Sequence, residues 1–453
     1  MAPITLSHVC SRWRDIVLSC PKLWSAIRIQ FRNIPDHAHD VLRTFMQNSK
    51  GYPLEICIRA APSIINPHTK LWEDLADQFW RYSEFSLDSG DLDIFLEKAS
   101  APGFSLAYLV AFRIHTTSDR NVVFLLQPQT GLSQALRRAP KLRTVQLPIV
   151  SPGISSLPYS QLTSLKVGRL FLGHFPDFLG ILRVSRNLRS LIIVSVTISP
   201  EGEPLPDIAH SPVQLPFLRT LIIDGDVGTL EINHPCYDRL FTSLEIPSLH
   251  TFQLCYSAPP TRSEALWPPS LLAMLSHSSS SLRRVTLCVV GFYGAQEPLS
   301  VLFQCTPNLT RLDLYFSSLL DDGGPLPPLD ATDRAISSFL SDLISQSRLV
   351  PNLGTLLLQF YEFDWQHLNH VVDGMIQLAR SSRSKVTNTP GVRPLIDLRL
   401  ERLNNPEIAL HQAGFSPSSD QVEALEALRK DGVGIEVKDV SGYIPDFDEE
   451  DRF

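Results

Sequence analysis

The chain is poor in cysteine and has no long apolar run. Its seven cysteines among 453 residues are odd in number and include no CxxC pair, a usage that favours a reduced, intracellular compartment. No stretch approaches the roughly 18 uninterrupted apolar residues that a membrane span needs. The sequence also meets Arg12 and Arg14 before any apolar run long enough for a signal peptide. We therefore expect a cytoplasmic or nuclear protein with no membrane partner.

An excess of basic charge is lacking as well. The 40 Lys and Arg residues are outnumbered by 47 Asp and Glu residues, which gives a net charge of -7. Proteins that bind a polyphosphate backbone usually carry a basic surface, so no nucleic-acid partner is expected. The apolar fraction of 43% is large enough for a substantial core. This fraction argues against disorder throughout the chain.

Catalytic motifs are missing too. The sequence contains no GxSxG nucleophile elbow, no GxxxxGK[ST] phosphate loop, no GxGxxG dinucleotide turn and no HExxH zinc helix. His367 and His370 lie three residues apart in a predicted helix. No cysteine or carboxylate is placed to complete a metal site there, so we interpret both as solvated side chains. The sequence therefore predicts that the protein is not an enzyme and has no catalytic, cofactor-binding or metal-binding residues.

Leucine, by contrast, is abundant, with 67 residues, and much of it falls in one recurring pattern. An apolar residue is followed by two variable residues, a second apolar residue, one variable residue and a third apolar residue. Successive copies start between 20 and 44 residues apart, and several of these intervals lie in or near the range of leucine-rich repeats. The nine copies begin at Leu142, Leu162, Leu188, Leu218, Leu249, Leu282, Leu309, Leu353 and Leu395.

Each copy predicts a strand, and the segments between copies predict helices. In five copies a proline lies two residues before the first leucine, where it would end the preceding helix: Pro140, Pro216, Pro247, Pro307 and Pro351. Apolar residues recur at spacings of three and four in the helical candidates, which are residues 178–185, 271–276, 299–305, 335–345 and 367–379. Because neither element can bury its apolar face alone, the units are expected to stack. The predicted fold class is α/β, a leucine-rich-repeat-like solenoid with a curved parallel sheet.

Weaker copies of the pattern extend the prediction to both ends of the chain. Strands are expected at residues 24–29, 53–58, 82–87, 106–109 and 434–437, and helices at 36–48 and 419–429. We therefore divide the chain into an N-terminal helical segment at 1–27, degenerate repeats at 28–100, the leucine-rich-repeat array at 101–403, and a capping helix and strand with an acidic tail at 404–453.

The N-terminal segment carries a motif distinct from the repeats. Four apolar residues spaced three or four apart predict one stripe on a single helix: Leu6, Val9, Trp13 and Ile16. Taken alone, such a stripe is typical of a helix that covers the open end of a solenoid.

The same segment resembles the second half of an F-box, in particular that of fungal F-box-like proteins. Their helix reads approximately L-x-x-V-C-x-x-W-R-x-I and continues to P-x-L-W. The matching positions are Leu6, Val9, Cys10, Trp13, Arg14, Ile16, Pro21, Leu23 and Trp24. The family's first helix would precede Leu6, and it is expected to be missing because the sequence begins five residues before that position.

The resemblance implies a substrate-recognition adaptor of an SCF (Skp1–cullin–F-box) ubiquitin ligase. The repeats would hold a protein substrate, while catalysis would belong to partner subunits. A Skp1-like adaptor, and through it a cullin, would bind at Leu6, Val9, Cys10, Trp13, Ile16, Pro21 and Trp24. The alternative is a leucine-rich-repeat scaffold for protein binding without any ligase connection, which the missing first helix favours.

Strand geometry indicates where a substrate would bind. Because side chains alternate between the two faces of a strand, the variable positions of each copy are expected to point outwards onto the concave face. The candidate substrate-binding residues there are Arg284, Arg311, Asp313, Tyr315, Gln359 and Arg399. Charged side chains grouped with a tyrosine are typical of interface hot spots. In the alternative interpretation, neighbouring strands pair these charges across the ladder and no ligand is involved.

Overall fold

The structure, a computed structural model, describes residues 2–30, 37–59, 69–88, 104–115, 131–150, 157–197, 212–224, 235–257, 268–290, 300–317, 341, 351–361, 365–386, 395–404 and 418–441. These residues form an α/β structure in which the strands pair in parallel and helices lie between them in the sequence. The chain divides into two units between Leu191 and Ile192, within one strand. The predicted α/β class with a parallel sheet is therefore confirmed.

In the first unit, six strands lie side by side in sequence order: β1 (Ala26–Gln30), β2 (Leu54–Arg59), β3 (Tyr82–Asp88), β4 (Ala111–Ile114), β5 (Thr144–Ile149) and β6 (Ser164–Phe171). Its described helices are α1 (Ala2–Ser7), α2 (Ser11–Ser19), α3 (Ala38–Asn48), α4 (Thr69–Asp77), α5 (Gly131–Arg137) and α6 (Phe175–Val184). Parallel neighbours need a crossover between them, and helices such as α3 and α4 supply it.

The second unit repeats this arrangement. After β7 (Ser190–Thr197), within which the division falls, its parallel strands in spatial order are β9 (Thr220–Asp224), β11 (Thr251–Ser257), β12 (Arg284–Val290), β13 (Arg311–Ser317), β14 (Thr355–Tyr361), β15 (Asp397–Asn404) and β16 (Gly434–Ser441). Two short strands, β8 (Val213–Gln214) and β10 (Leu244–Glu245), pair separately. The described helices are α7 (Pro235–Thr242), α8 (Pro269–His277), α9 (Ser300–Cys305), α10 (Trp365–Val386) and α11 (Ser419–Lys430).

All nine predicted repeat strands are confirmed, and each begins two residues after the first leucine of its copy, as β12 does after Leu282. The register is also repeated, because equivalent positions of successive copies pair with each other. One row of paired, buried apolar residues crosses six strands of the second unit: Phe252, Val285, Leu312, Leu356, Leu398 and Ile435. Burial of each such side chain contributes about 1.5 to 3 kcal/mol, so the repeated spacing aligns the core from strand to strand.

The predicted strand at residues 106–109 is wrong. These residues precede β4, which begins at Ala111. The copy that forms β4 consists of Leu109, Phe112 and Ile114, all buried, with the same spacing of three and two as the other copies. Leu106, three residues before Leu109, is buried too, so both leucines were suitable as the first residue of the pattern.

The helices predicted between repeat strands are confirmed wherever the structure describes them, as are the terminal helix α11 and the last strand β16. The helix predicted at 335–345 lies outside the described residues except for Ser341. Helix α11 begins with a capping box, in which the Ser418 hydroxyl accepts a hydrogen bond from the Gln421 amide at 3.2 Å and the Gln421 side chain accepts one from the Ser418 amide at 3.0 Å. Gln421 Nε2 also donates to Asp373 Oδ1 at 2.9 Å, which joins α11 to α10.

The single N-terminal helix predicted from Leu6 to Ile16 is wrong, because α1 ends at Ser7 and α2 begins at Ser11. The Ser7 hydroxyl donates to the Ile4 carbonyl oxygen at 2.6 Å, and Arg14 Nε donates to the Ser7 carbonyl oxygen at 3.0 Å. Both bonds satisfy carbonyl groups that a continuing helix would have used for its own amides. The break allows α2 to pack on α1.

Within the described part of the chain, no helix is long and apolar enough to cross a membrane. Over the same residues, no group of three His, Cys, Asp or Glu side chains is arranged so as to hold a metal ion.

Candidate functional site

Three exposed apolar side chains form a surface beside the start of α2. Val9 lies in the turn between α1 and α2 and is 61% exposed, while Trp13 and Ile16 are each 46% exposed and lie three residues apart on one side of α2. We call these three residues the Trp13 surface. Large apolar side chains grouped in this way on a short helix are typical of a protein-binding surface.

The other predicted Skp1-binding residues differ in their accessibility. Cys10 is exposed, and Leu6 and Pro21 are half-buried. Trp24 is buried: its Nε1 donates to the Val17 carbonyl oxygen at 2.8 Å, and its ring meets Phe45 of α3 edge-on with centroids 5.2 Å apart. In this conformation Trp24 therefore packs inside the first unit and does not face a partner.

A second group of candidates lies on the sheet of the second unit, around the carboxylate of Asp313. Asp313 is fully buried, and its Oδ2 accepts hydrogen bonds from Arg284 Nε at 3.0 Å, Arg284 Nη2 at 2.7 Å and Thr286 Oγ1 at 3.3 Å. Arg311 Nε lies 2.9 Å from Oδ1 and 3.0 Å from Oδ2. A carboxylate that accepts this many charge-assisted bonds fixes both guanidinium groups in place.

The register of the sheet brings these residues together. Arg284 of β12 pairs with Arg311 of β13, and Thr286 of β12 pairs with Asp313 of β13. The expected pairing of charges across the ladder is therefore confirmed for Arg284 and Asp313, which lie on neighbouring strands. The two arginines remain partly exposed, with 31% and 40% of their side-chain surface accessible.

Tyr315 was expected to be exposed on this face, but it is buried beside Cys255 and Cys288. Cys255, Cys288 and Tyr315 occupy equivalent positions on β11, β12 and β13, so their side chains form one row. The hydrogen bond that Cys255 shares with Cys288, followed by burial, raises the pKa of the Cys255 thiol well above its ordinary value. Cys255 is thus a buried neutral thiol and not a nucleophile.

Gln359 of β14 was also expected to be exposed and is buried instead. Its Nε2 donates to Glu401 of β15, the residue with which it pairs in the sheet. Its Oε1 makes no hydrogen bond, and the same is true of Nε2 of Gln253 on β11. Buried polar atoms are nearly always hydrogen-bonded, so these two amide atoms are exceptions to that rule.

Arg399 of β15 is the candidate with the largest exposed fraction. Its Nη2 lies 3.1 Å from Asp397 Oδ2, two residues earlier on the same strand. The hydrogen bond and charge of Asp397, together with the weaker effects of Glu436 and Glu401, raise the pKa of the Arg399 guanidinium. We call Arg284, Arg311, Asp313, Asp397 and Arg399 together the charged sheet face.

Strand alternation placed the six candidates on one face of the sheet, but it did not distinguish the buried candidates from the accessible ones. Strand alternation also placed Thr286, Asp397 and Glu401 on this face, and each contacts one of the six candidates. Aligning the repeat copies by their first leucine puts Thr286 beside Asp313 and Gln359 beside Glu401, so this signal is present in the sequence.

Comparison with known proteins adds no relative: no protein-family model matches the chain, and no curated protein sequence matches it.

Proposed function

We propose that the chain is an F-box-type substrate-recognition adaptor of an SCF ubiquitin ligase, built as a leucine-rich-repeat solenoid behind a helical F-box segment. The Trp13 surface binds a Skp1-like adaptor, which in turn binds a cullin. The charged sheet face binds a protein substrate. The partner subunits carry out catalysis, and the chain itself supplies two binding surfaces.

The observation that carries the proposal is the exposure of Val9, Trp13 and Ile16. A tryptophan and two aliphatic residues lose favourable burial when they are left in water, at roughly 25 cal/mol for each Å² of apolar surface. Their exposure is consistent with a surface that a second protein covers. These positions are also three of those at which the F-box resemblance places contacts with the Skp1-like subunit.

The repeats support the other half of the proposal. Nine strands follow one leucine spacing and pair in parallel within each unit. Stacked strand-helix units are the architecture of leucine-rich-repeat solenoids, whose extended surfaces bind other proteins. The polar residues of the charged sheet face lie on such a surface.

Co-purification with a Skp1-like protein tests the proposal. The double variant Trp13→Ala/Ile16→Ala removes most of the Trp13 surface, and we expect it to weaken binding by at least about tenfold. Trp80→Ala is the matched control, since Trp80 is 49% exposed in the same unit but lies outside the motif. Circular dichroism establishes that each variant is folded. Absence of binding by the folded wild type, or equal binding by the double variant, would reject the adaptor function.

The packing of Trp24 favours a second candidate function. Trp24 joins α2 to α3 through Val17 and Phe45, so part of the motif serves to cover the beginning of the repeats. A scaffold that binds a protein partner without a ligase needs only this covering role. If the folded wild type binds a protein through the charged sheet face but does not bind a Skp1-like protein, the scaffold is the function that remains.

A further inference from the structure

Basic side chains are concentrated in one part of an otherwise acidic chain. Residues 121–200 contain nine Lys and Arg but a single acidic residue, Asp177, so this stretch has a net charge of +8. Because the whole chain has a net charge of -7, the remaining residues together carry -15. A local excess of one sign creates a positive surface potential that the net charge of the whole chain conceals.

Five of these cations lie at one edge of the sheet of the first unit, where β5, β6 and β7 begin as neighbours. The Thr163 amide donates to the Arg143 carbonyl oxygen and the Arg189 amide donates to the Thr163 carbonyl oxygen, both at 2.8 Å. Arg143 and Arg189 therefore occupy equivalent positions before β5 and β7, about 10 Å apart. We use the name basic edge for the five exposed cations in the turns before β5 and β7, which are Arg138, Lys141, Arg143, Arg186 and Arg189.

Side-chain hydrogen bonds hold the turns of the basic edge against one another. Gln161 Nε2 donates to the Ala139 carbonyl oxygen at 2.7 Å, which joins the turn before β6 to the turn before β5. Asn187 Nδ2 donates to the Ser160 carbonyl oxygen at 2.7 Å, which joins the turn before β7 to the turn before β6. The backbone positions of the five cations are thus fixed before any ligand binds, and this lowers the entropy cost of binding.

Among the described residues, no carboxylate forms an ion pair with the basic edge. The ion pairs of the first unit use the carboxylates of Asp74 and Glu84, and their cations lie outside the basic edge. Asp177 lies in the first turn of α6, whereas Arg186 follows the last turn of this helix, about 10 Å further along its axis. Five positive charges are therefore exposed together without a neutralising partner in the described part of the unit.

We propose that the basic edge binds a short protein segment rich in Asp and Glu. Four of its five cations are arginines, whose guanidinium groups bind carboxylates through two parallel N–H groups. A short segment fits better than a long polyanion such as a nucleic acid, because a long polyanion would also meet the excess of negative charge on the rest of the chain. The role of this segment as a substrate rests on the proposed adaptor function, whereas its binding does not.

Fluorescence anisotropy with labelled peptides tests the proposal on the full chain at physiological salt. The probe is a flexible peptide with six consecutive Glu residues between Gly-Ser linkers, and the companion peptide carries six Gln residues instead. We expect the Gln peptide to bind at least about tenfold more weakly, since it has no carboxylates for the arginines. Binding of the Glu peptide should be lost in 1 M NaCl, where the Debye length is about 3 Å. Equal affinity for the two peptides would overturn the proposal.

Charge-reversal variants then locate the binding site. In the described part of the chain, the side chains of Arg186 and Arg189 make no hydrogen bond, so Arg186→Glu/Arg189→Glu removes no contact of the fold. We expect this variant to bind the Glu peptide at least about tenfold more weakly. Arg28→Glu/Lys70→Glu is the matched control, because it changes the net charge equally at exposed positions of β1 and α4 in the same unit.

Circular dichroism establishes that each variant is folded. If Arg186→Glu/Arg189→Glu disturbs folding, Arg138→Glu/Lys141→Glu in the turn before β5 takes its place. Equal affinity of the Glu peptide for a folded basic-edge variant and for the control variant would show that the peptide binds elsewhere, and the proposal would be wrong.

A thymidine oligonucleotide with six phosphates provides the comparison with nucleic acid. We expect it to bind more weakly than the Glu peptide. Tighter binding that is lost in the basic-edge variants would assign this surface to nucleic acid and overturn the proposal.

The peptide assay contains no Skp1-like protein, so its result is separate from that of the co-purification. Loss of peptide recognition would leave binding at the Trp13 surface standing. Conversely, failure to bind a Skp1-like protein would leave the basic edge as a binding surface of a scaffold.

Discussion

The indole of Trp24 donates a hydrogen bond to the carbonyl oxygen of Val17 at 2.8 Å. Val17 lies in the last turn of α2, and its carbonyl oxygen also accepts a hydrogen bond from the Cys20 amide at 3.3 Å. Trp24 therefore adds a second hydrogen bond to this carbonyl oxygen, while its ring fills the space beside Phe45. Within one short motif, Trp24 is thus part of the core of the first unit, whereas Trp13 remains accessible to a partner.

Replacement of these two tryptophans is expected to have different consequences. Trp24→Ala leaves a cavity and removes the hydrogen bond from the indole to the Val17 carbonyl oxygen, and we expect the local opening free energy of α2 and β1 to fall by about 3 to 5 kcal/mol. Trp13→Ala, at an exposed site, is expected to change it by about 0.5 kcal/mol or less. Amide hydrogen exchange of α2, β1 and β2 measures both effects. Equal losses in the two variants would contradict the assignment of Trp24 to packing and Trp13 to binding.

Much of the fold is predictable from the sequence because one spacing recurs. Leu282 marks the start of β12 and Leu309 that of β13, and the pairing of equivalent positions follows from the repetition. Periodicity could not locate the break before α2, because the bond from Arg14 to the Ser7 carbonyl oxygen joins residues seven apart. It also misplaced β4, since Leu106 and Leu109 were both suitable first positions.

The candidate site was less predictable than the fold. Alternation along a strand determines the face on which a side chain lies, but its exposure depends on its neighbours in the sheet. Tyr315 lies on the expected face and is buried beside Cys288. Asp313 lies on the same face and is fully covered by groups that include Arg284 and Arg311. These contacts depend on several strands at once, which the pattern of a single copy does not describe.

Two glycines of the first unit provide a test of packing between its strands. At Gly168 of β6, an added Cβ would lie 2.5 Å from the Pro148 carbonyl oxygen of β5, whereas at Gly180 of α6 nothing lies within 4 Å. We expect Gly168→Ala to destabilise the unit by about 1 to 3 kcal/mol. Gly180→Ala is expected to stabilise it by about 0.5 to 1 kcal/mol, because alanine favours the helix. The measurement is thermal unfolding with amide exchange of β5 and β6, and destabilisation by both variants would contradict this packing.

The buried phenol of Tyr82 is expected to make the stability of the fold depend on pH in the alkaline range. Burial raises its pKa well above the ordinary value of 10.0, against a smaller opposing effect of Arg81. Its hydroxyl donates to the Leu75 carbonyl oxygen at 2.7 Å. Because the folded state keeps a proton that the unfolded chain releases above about pH 10, this contribution is complete below that pH and is lost as the pH rises.

Tyr82→Phe is therefore expected to reduce the loss of stability above about pH 10, by up to about 1.4 kcal/mol per pH unit. At pH 7 the variant should be about 1 kcal/mol less stable, since it loses the buried hydrogen bond to the Leu75 carbonyl oxygen, which keeps the Gln78 amide as its other donor. Urea unfolding at several pH values measures both quantities. Tyr108→Phe, at a side chain that is 42% exposed, serves as the control. An alkaline slope identical to that of the wild type would show that Tyr82 does not contribute.

Two aspartates of the charged sheet face test the distinction between a buried anchor and an accessible ion pair. Asp313 has no exposed side-chain surface, whereas Asp397 has 29% and contacts Arg399, of which 44% is exposed. Asp313→Asn leaves two arginines facing each other without a counter-charge, and we expect the second unit to lose about 3 to 5 kcal/mol of stability. Asp397→Asn is expected to cost about 0.2 to 1 kcal/mol, as exposed ion pairs usually do.

High salt is expected to change the stability losses of these two variants differently. The stability lost in Asp397→Asn should disappear in 1 M NaCl, where exposed charges more than about 3 Å apart are screened. The stability lost in Asp313→Asn should persist, because the Asp313 carboxylate is buried and salt does not screen it. Urea unfolding at low and high salt, with hydrogen exchange of β12 and β13, gives both costs. A small cost for Asp313→Asn would mean that the two arginines do not need this carboxylate to remain in position.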